Sequence, residues 1–411
     1  MTRLLLLLAA SSLSYTGLDL ITSMMLSRSL GPASIGDLTF LTNFAAFFSV
    51  LGTFGFVQAN VMHFSQGGSW QSSFQAAKKM LAFSLILLSV VFWLGLYYLP
   101  SDYYENKNTE FGDLLLAFTY SVFHVTLVVL SGYLLASKQN FKFAISNVIY
   151  SSILLIFVSF LFLESEEFLT LRSTLIIYVF GKLCSILYVI YSIAKGREAA
   201  ILKTEVNVFN YQCARRFYYY NLIQQCVGFA PIAIFAFYLK NSEMLGYFSR
   251  AMSISLLVTL IPLSLGPHIF SRWAHSLSEQ KTQLPKIVAI YMAVSLIFLP
   301  PVVYFSEEIV SIIYGESFRA AGFYLNVIVF SAFFRIMYDP FLNALSAENM
   351  LETNTLIMLV SFFVFVFFAL YLSDLYAGIG VVYASLLSNF LVFLMCVIAY
   401  VKHRRLVEDE R

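Results

Sequence analysis

Long apolar stretches alternate with short polar breaks along the whole chain, and the spacing of those breaks predicts the elements. Stretches near 4–27, 35–63, 79–99, 114–136, 143–163, 173–194, 217–239, 245–270, 287–305, 323–346, 354–373 and 377–400 are each long enough to cross a bilayer as a helix, which takes ~20 apolar residues. None alternates with the period of two that barrel strands require, so every stretch reads as helix.

Composition turns these helices into membrane spans. Of 411 residues, 60% are hydrophobic and 12% are charged, with 42 Phe and 26 Tyr; a soluble domain carries about 25% charged residues. Lipid is therefore the expected solvent. The start, "MTRLLLLLAASS", has the look of a signal peptide, but its apolar character continues to Leu26, beyond the core of a cleaved signal. Cys184, Cys213, Cys226 and Cys396 lack metal-ligand spacing and read as reduced packing residues, so no metal and no cofactor is expected. A net charge of +2 argues neither for nor against nucleic acid, and no nucleic-acid partner is expected.

The distribution of charge says more. With the N-terminus in the cytoplasm, the inner segments hold 17 Lys and Arg and the outer segments 5. This asymmetry places both termini on the cytoplasmic side. The outer loops near 100–113 and 306–322 are too short to be folded domains. The longest inner one, 194–216, mixes Ile201, Leu202, Val206, Val208 and Phe209 with Lys203, Arg215 and Arg216, a pattern expected of an amphipathic helix on the inner leaflet.

That segment divides the twelve spans into two sets of six: a lobe at 1–194, a linker at 195–216, a second lobe at 217–400 and a tail at 401–411. "SRSLGPASIGDLTF" (27–40) has an echo in "SEMLGYFSR" (242–250), with Gly36 and Gly246 separated by 210 residues. "LLASKQN" (134–140) and "ALSAENM" (344–350) repeat at the same offset. The reading is an all-α integral membrane protein of 12 transmembrane helices, in two pseudo-symmetric six-helix bundles around a central cavity. Parallel repeats of this kind are a transporter architecture.

The motifs carry a resemblance. Arg28, Leu30, Gly31, Pro32 and Gly36 (R-x-L-G-P-x-x-x-G) close the first span, and "GFVQANVMHFSQ" (55–66) closes the second; "LGYFSRA" (245–251) opens the eighth and "PHIFSR" (267–272) closes it. Together they resemble the polysaccharide flippases of the multidrug/oligosaccharidyl-lipid/polysaccharide (MOP) exporter superfamily, nearest to Wzx-type O-antigen flippases. The resemblance implies a MATE-like fold in the bacterial inner membrane. It also implies transfer of an undecaprenyl-pyrophosphate-linked oligosaccharide, an O-antigen or similar repeat unit, to the periplasmic leaflet by alternating access. A polysaccharide polymerase and a chain-length regulator are the partners it suggests, beside membrane lipids. The chain departs from the pattern in span seven, where "VGFAPIAIF" (227–235) has Pro231 and no carboxylate, and in span eight, which carries Arg250.

Such a cargo needs a polar, cationic lane for its pyrophosphate, while its tail stays in lipid. Charges inside spans cost ~2.5–3.5 kcal/mol each on insertion scales, so those present need partners or a purpose. Arg28, Lys182 and Arg250 are the cations expected to meet pyrophosphate, with Gln58, Asn60, Asn221 and Gln224 as polar contacts to phosphate or sugar. Arg28 is also placed to snorkel to headgroups, and Arg250 to pair with Glu243 or Asp37. Asp19, alone in the middle of span one, is the first candidate for a proton- or sodium-coupling carboxylate. Arg335 and Asp339, four apart beside Pro340, read either as a self-neutralised pair at a bend or as an ion-sensitive latch. His63 and His124 read as helix–helix hydrogen-bonding residues.

Other functions compete. A small-molecule or drug exporter of the same superfamily shares the fold, and only the basic lean of the mid-span charges separates it. A membrane glycan polymerase needs a large outer loop, and the sequence shows no paired carboxylates, activated nucleophile or phosphate-cradling glycine loop; the chain does not read as an enzyme. A major-facilitator carrier would have a charged turn after span two, where this chain has "QGGSWQSSFQAAKK" (66–79).

Overall fold

The structure is a computed structural model, described here for all residues except 1, 54, 66–69, 99–110, 137–138, 165–167, 201–210, 276, 349 and 410–411. The loop at 99–110 and the middle of the linker at 195–216, with the amphipathic helix expected there, therefore lie outside the described residues. Among the described residues every regular element is helical. In hydrocarbon each unpaired backbone group costs several kcal/mol, and a helix pairs them all within one segment.

In chain order the helices are α1 (Thr2–Thr53), α2 (Phe56–Ser65), α3 (Trp70–Tyr98), α4 (Phe111–Ala136), α5 (Asn140–Glu164), α6 (Leu171–Ala200) and α7 (Tyr211–Ala233). They continue with α8 (Ser242–His275), α9 (Leu277–Tyr304), α10 (Ser306–Tyr314), α11 (Ala321–Ala347), α12 (Leu351–Tyr376) and α13 (Gly378–Asp409). Among the described residues ten stretches are long and apolar enough to cross a membrane, and the chain is a multi-pass membrane protein. The first, Ser14–Val50, covers both spans expected at 4–27 and 35–63, while α8 lies over the span expected at 245–270.

Spans one and two are thus not separated by a loop. Helix runs through, broken where Gly31 takes φ 72° and ψ 174°, a conformation open to glycine and strained for other residues. Pro32 then restarts the helix at a place where a missing N–H costs little. The second span also ends earlier than expected, at Thr53, because Gly55 (φ 67°) turns the chain into α2. A β-carbon at Gly55 would lie 2.4 Å from the Ala214 carbonyl oxygen, so this glycine also lets the turn touch the first turns of α7.

The chain forms two compact units, Met1–Leu30 with Phe40–Gln225, and Gly31–Thr39 with Cys226–Arg411. In the first, Phe56, Ala59, Ala76, Val125, Val129 and Tyr133 form an apolar core joining α2, α3 and α4. Small polar groups stitch the helices together. The Tyr133 hydroxyl donates to the Ser73 carbonyl at 2.8 Å, Ser73 donates to Asn60, and Ser185 donates to the Ser146 carbonyl at 3.0 Å.

In the second unit, α11 packs against α8 and α13, and α13 against α12. The interhelical bonds are again short and polar: Asn354 donates to the Leu342 carbonyl at 3.0 Å, Asn389 to Ser331 at 2.7 Å, and Gln280 to the Ala344 carbonyl at 3.2 Å. Pro340 lies inside α11, which stays a single helix. Pro231 has a larger effect. It deletes one backbone donor of α7, and a π-helical turn follows at Ile234–Tyr238.

The echo at offset 210 is a contact. Segment 31–40 and segment 241–250 have the same residue-by-residue order of buried, half-buried and exposed positions. A β-carbon at Gly36 would lie 1.8 Å from the Ser242 carbonyl oxygen, and one at Gly246 would lie 2.0 Å from the Pro32 carbonyl oxygen. The pairs 36/242 and 246/32 exchange under the offset, so the segments cross about a local two-fold. The Ser242 hydroxyl donates to Asp37 across the crossing at 2.6 Å.

Candidate functional site

Three helices of the first unit repeat one spacing: Tyr15 and Asp19 on α1, Tyr120 and His124 on α4, Tyr178 and Lys182 on α6. Residues four apart share a helix face, so each helix offers one tyrosine and one ionisable group together. The fold brings these faces to one place. Asp19 accepts hydrogen bonds from Ser151 of α5 at 2.8 Å and from Tyr15. Tyr120 lies against His124 (5.9 Å between centroids) and Tyr178 (6.1 Å), and Tyr178 lies against Tyr150 (6.4 Å).

Lys182 is 7% exposed. Its ammonium lies 3.9 Å from the centroid of the Tyr150 ring and 5.6 Å from that of Tyr120, positions that suit attraction to the ring quadrupoles. It makes no hydrogen bond or ion-pair contact among the described residues, and the charge of Asp19 acts on it from nearby. Gly181 makes this possible: a β-carbon there would lie 3.1 Å from the Tyr150 ring. The His124 Nδ1 is buried without a partner among the described residues. The cluster thus holds one carboxyl group, one amine, one imidazole and four tyrosines in a largely apolar setting.

The second unit has its own buried cation. Arg250 on α8 is 8% exposed, and its guanidinium lies 5.3 Å from the centroid of Tyr314, a wholly buried ring at the end of α10. Glu243 accepts the Tyr247 hydroxyl at 2.5 Å. The Tyr247 ring in turn meets Phe318 and Tyr324.

The other expected residues scatter. Arg28 is exposed in the last turn before the Gly31 break. Asn60 is buried, accepting from Ser73 and facing the Gly132 carbonyl at 3.5 Å, so its amide is used between helices. Gln58 lies on α2, but its side chain is outside the described residues. Gln224 is exposed and donates to Tyr220 at 2.7 Å, and Asn221 is half-buried one turn before. Arg335 and Asp339 do not close an ion pair: Arg335 is exposed, and Asp339 accepts from Asn343 at 3.0 Å. His63 bonds Ser72 at 2.9 Å. Among the described residues no group of His, Cys, Asp and Glu could hold a metal ion. The residues sequence reasoning missed are Tyr15, Tyr120, Tyr150, Ser151 and Tyr178. The thrice-repeated Tyr-x-x-x-ionisable spacing was the signal for three of them.

No protein-family model and no curated protein matches the chain. Solved structures do. The lipid II flippase MurJ, in an inward closed conformation, is similar with a TM-score of 0.77 at 15% identity, over 96% of this chain and 87% of that one. An inward-facing multidrug resistance MATE family transporter of the MOP superfamily is similar with a TM-score of 0.70 at 15% identity, over 96% of each chain. The Vibrio cholerae MATE transporter VcmN, in its bent form, gives 0.65 at 11% identity, over 98% of this chain and 97% of that one. At these identities the likeness establishes the fold alone, the one that these transporters share.

Proposed function

We propose that this protein is a flippase that carries an undecaprenyl-pyrophosphate-linked oligosaccharide from the cytoplasmic to the periplasmic leaflet of a bacterial inner membrane, with both termini in the cytoplasm. One observation carries the reading. Each unit buries a cation against the face of a tyrosine, Lys182 in one and Arg250 in the other. Placing a charge inside a span costs ~2.5–3.5 kcal/mol, so a buried cation in each unit needs a purpose. A pyrophosphate, the anion that a lipid-linked sugar presents, has the charge and the oxygens that such cations bind. Arg28, exposed before the Gly31 break, would add a third cation on the way. That a structurally similar protein is a lipid II flippase supports a lipid-linked cargo.

Asp19 is the proposed coupling carboxylate. A polymerase and a chain-length regulator are the proposed downstream partners, since a translocated repeat unit has to be joined to others. The test is removal of the protein from its host: lipid-linked glycan should accumulate on the cytoplasmic face. A charge-assisted hydrogen bond is worth ~1.5–3 kcal/mol, so Lys182→Ala or Arg250→Ala at normal abundance should lower transport about tenfold or more. Normal glycan export without the protein would overturn the proposal.

A second reading has its own support. The tyrosine-rich cluster around Asp19 also suits a cationic drug, and the MATE transporters share the fold. Loss of the protein would then raise sensitivity to cationic compounds and leave the glycan unchanged.

A further inference from the structure

The ammonium of Lys182 lies over the faces of Tyr120 and Tyr150, and Asp19, which accepts from Tyr15 and from Ser151 next to Tyr150, acts on it by its charge without closing an ion pair. A carboxylate bordered by ring faces and hydroxyl oxygens has the chemistry of a site for a monovalent cation. Here that cation is part of the chain, anchored from α6 and set in place by Gly181, which leaves room for the Tyr150 ring. The other titratable side chains facing this position are four tyrosines and one histidine: Tyr15 from α1, Tyr120 and His124 from α4, Tyr150 from α5, Tyr178 from α6. Lys182 is thus the one fixed positive charge available to Asp19 among the described residues.

We propose that Lys182 is the resident counter-ion of Asp19 and keeps a free monovalent cation away from it, so that the wild-type protein binds no free sodium there and any coupling through Asp19 runs without it. This rests on the reading of Asp19 as the coupling carboxylate, but its test needs no glycan and can fail separately from the flippase reading. Cutting Lys182 back to alanine should open the site to a small free cation.

The experiment uses the purified full chain in lipid nanodiscs. Thermal unfolding is followed in the chlorides of sodium, potassium, methylammonium and choline at one ionic strength, choline being too large for the vacated space. Wild type should unfold at one temperature in all four. Lys182→Ala should unfold about 2–4 °C higher in sodium or methylammonium than in choline, the shift expected when a ligand binds only the folded state. The double variant D19N/K182A should lose that response. A wild-type protein that responds to sodium as strongly as K182A, or a folded K182A indifferent to all four salts, overturns the proposal. Where K182A does not accumulate, D19N is compared with D19N/K182M. A counter-ion stranded by loss of its carboxylate is a burden, so the double variant should unfold at the higher temperature; the opposite order overturns the proposal.

Discussion

A methyl group at position 246 would have nowhere to go. In Gly246→Ala the new β-carbon would lie 2.0 Å from the Pro32 carbonyl oxygen, 2.8 Å from its carbon and 3.2 Å from the Pro32 Cα. Side-chain carbons essentially never approach a heavy atom closer than 3.0 Å, so the two backbones must part by at least about 1 Å. Both partners are helix backbone, which cannot swing aside as a side-chain tip would. Overpacking of this kind costs ~1–3 kcal/mol. Against it stands the gain of ~0.5–1 kcal/mol from alanine over glycine within a helix. The clash wins, and parting the segments also stretches the 2.6 Å bond from Ser242 to Asp37.

Two controls fix the sign. Gly17 and Gly228 are helical glycines with open space where a β-carbon would sit, so Gly17→Ala and Gly228→Ala should be neutral or slightly stabilising. Thermal unfolding of the purified proteins in one detergent provides the measurement, with transport in cells beside it. Gly246→Ala and Gly36→Ala should each unfold several degrees lower. Because either substitution already parts the same crossing, the double variant should lose less than the two single losses together. A Gly246→Ala protein that unfolds and transports like Gly17→Ala would refute the reasoning.

Further outcomes follow from other contacts. Asn60→Ala should cost ~1–3 kcal/mol of stability by leaving buried groups unmatched, while its surviving folded fraction transports normally; a transport defect at full stability would instead make Asn60 a cargo contact. Gly181→Ala should disturb Lys182 by pressing on the Tyr150 ring at 3.1 Å, with an effect on transport that disappears in a K182A background. Glu348→Ala should loosen the turn between α11 and α12, where His403 of α13 lies 2.5 Å from its carboxylate, and increased proteolysis of the C-terminal residues would report it.

Much of the fold was legible because lipid imposes one solution. Twenty apolar residues in hydrocarbon must be helical, so the spans could be counted from leucines and phenylalanines alone. The break at Gly31 was visible as a Gly-Pro pair, but a positive φ within a continuing helix looks the same in sequence as a loop. Gly36 and Gly246 were recognisable as an echo. That they touch was not, since repetition fixes likeness and says nothing of adjacency. At the candidate site, Asp19 and Lys182 stood out because charge is rare in spans. Their tyrosines did not, because 26 tyrosines in 411 residues supply an abundant background. Arg335 and Asp339 show the opposite error: a spacing of four permits an ion pair, yet the side chain of Asn343, on the following turn, won the carboxylate.

The assignment of Gly31–Thr39 to the same compact unit as Cys226–Arg411 bears on how the protein is made. A ribosome delivers that short piece long before α8 exists, so the piece must wait, within the membrane, for most of the translation time. A gene divided in the middle would give a later fragment missing part of its own interior, and co-expression of both fragments would be needed to restore it.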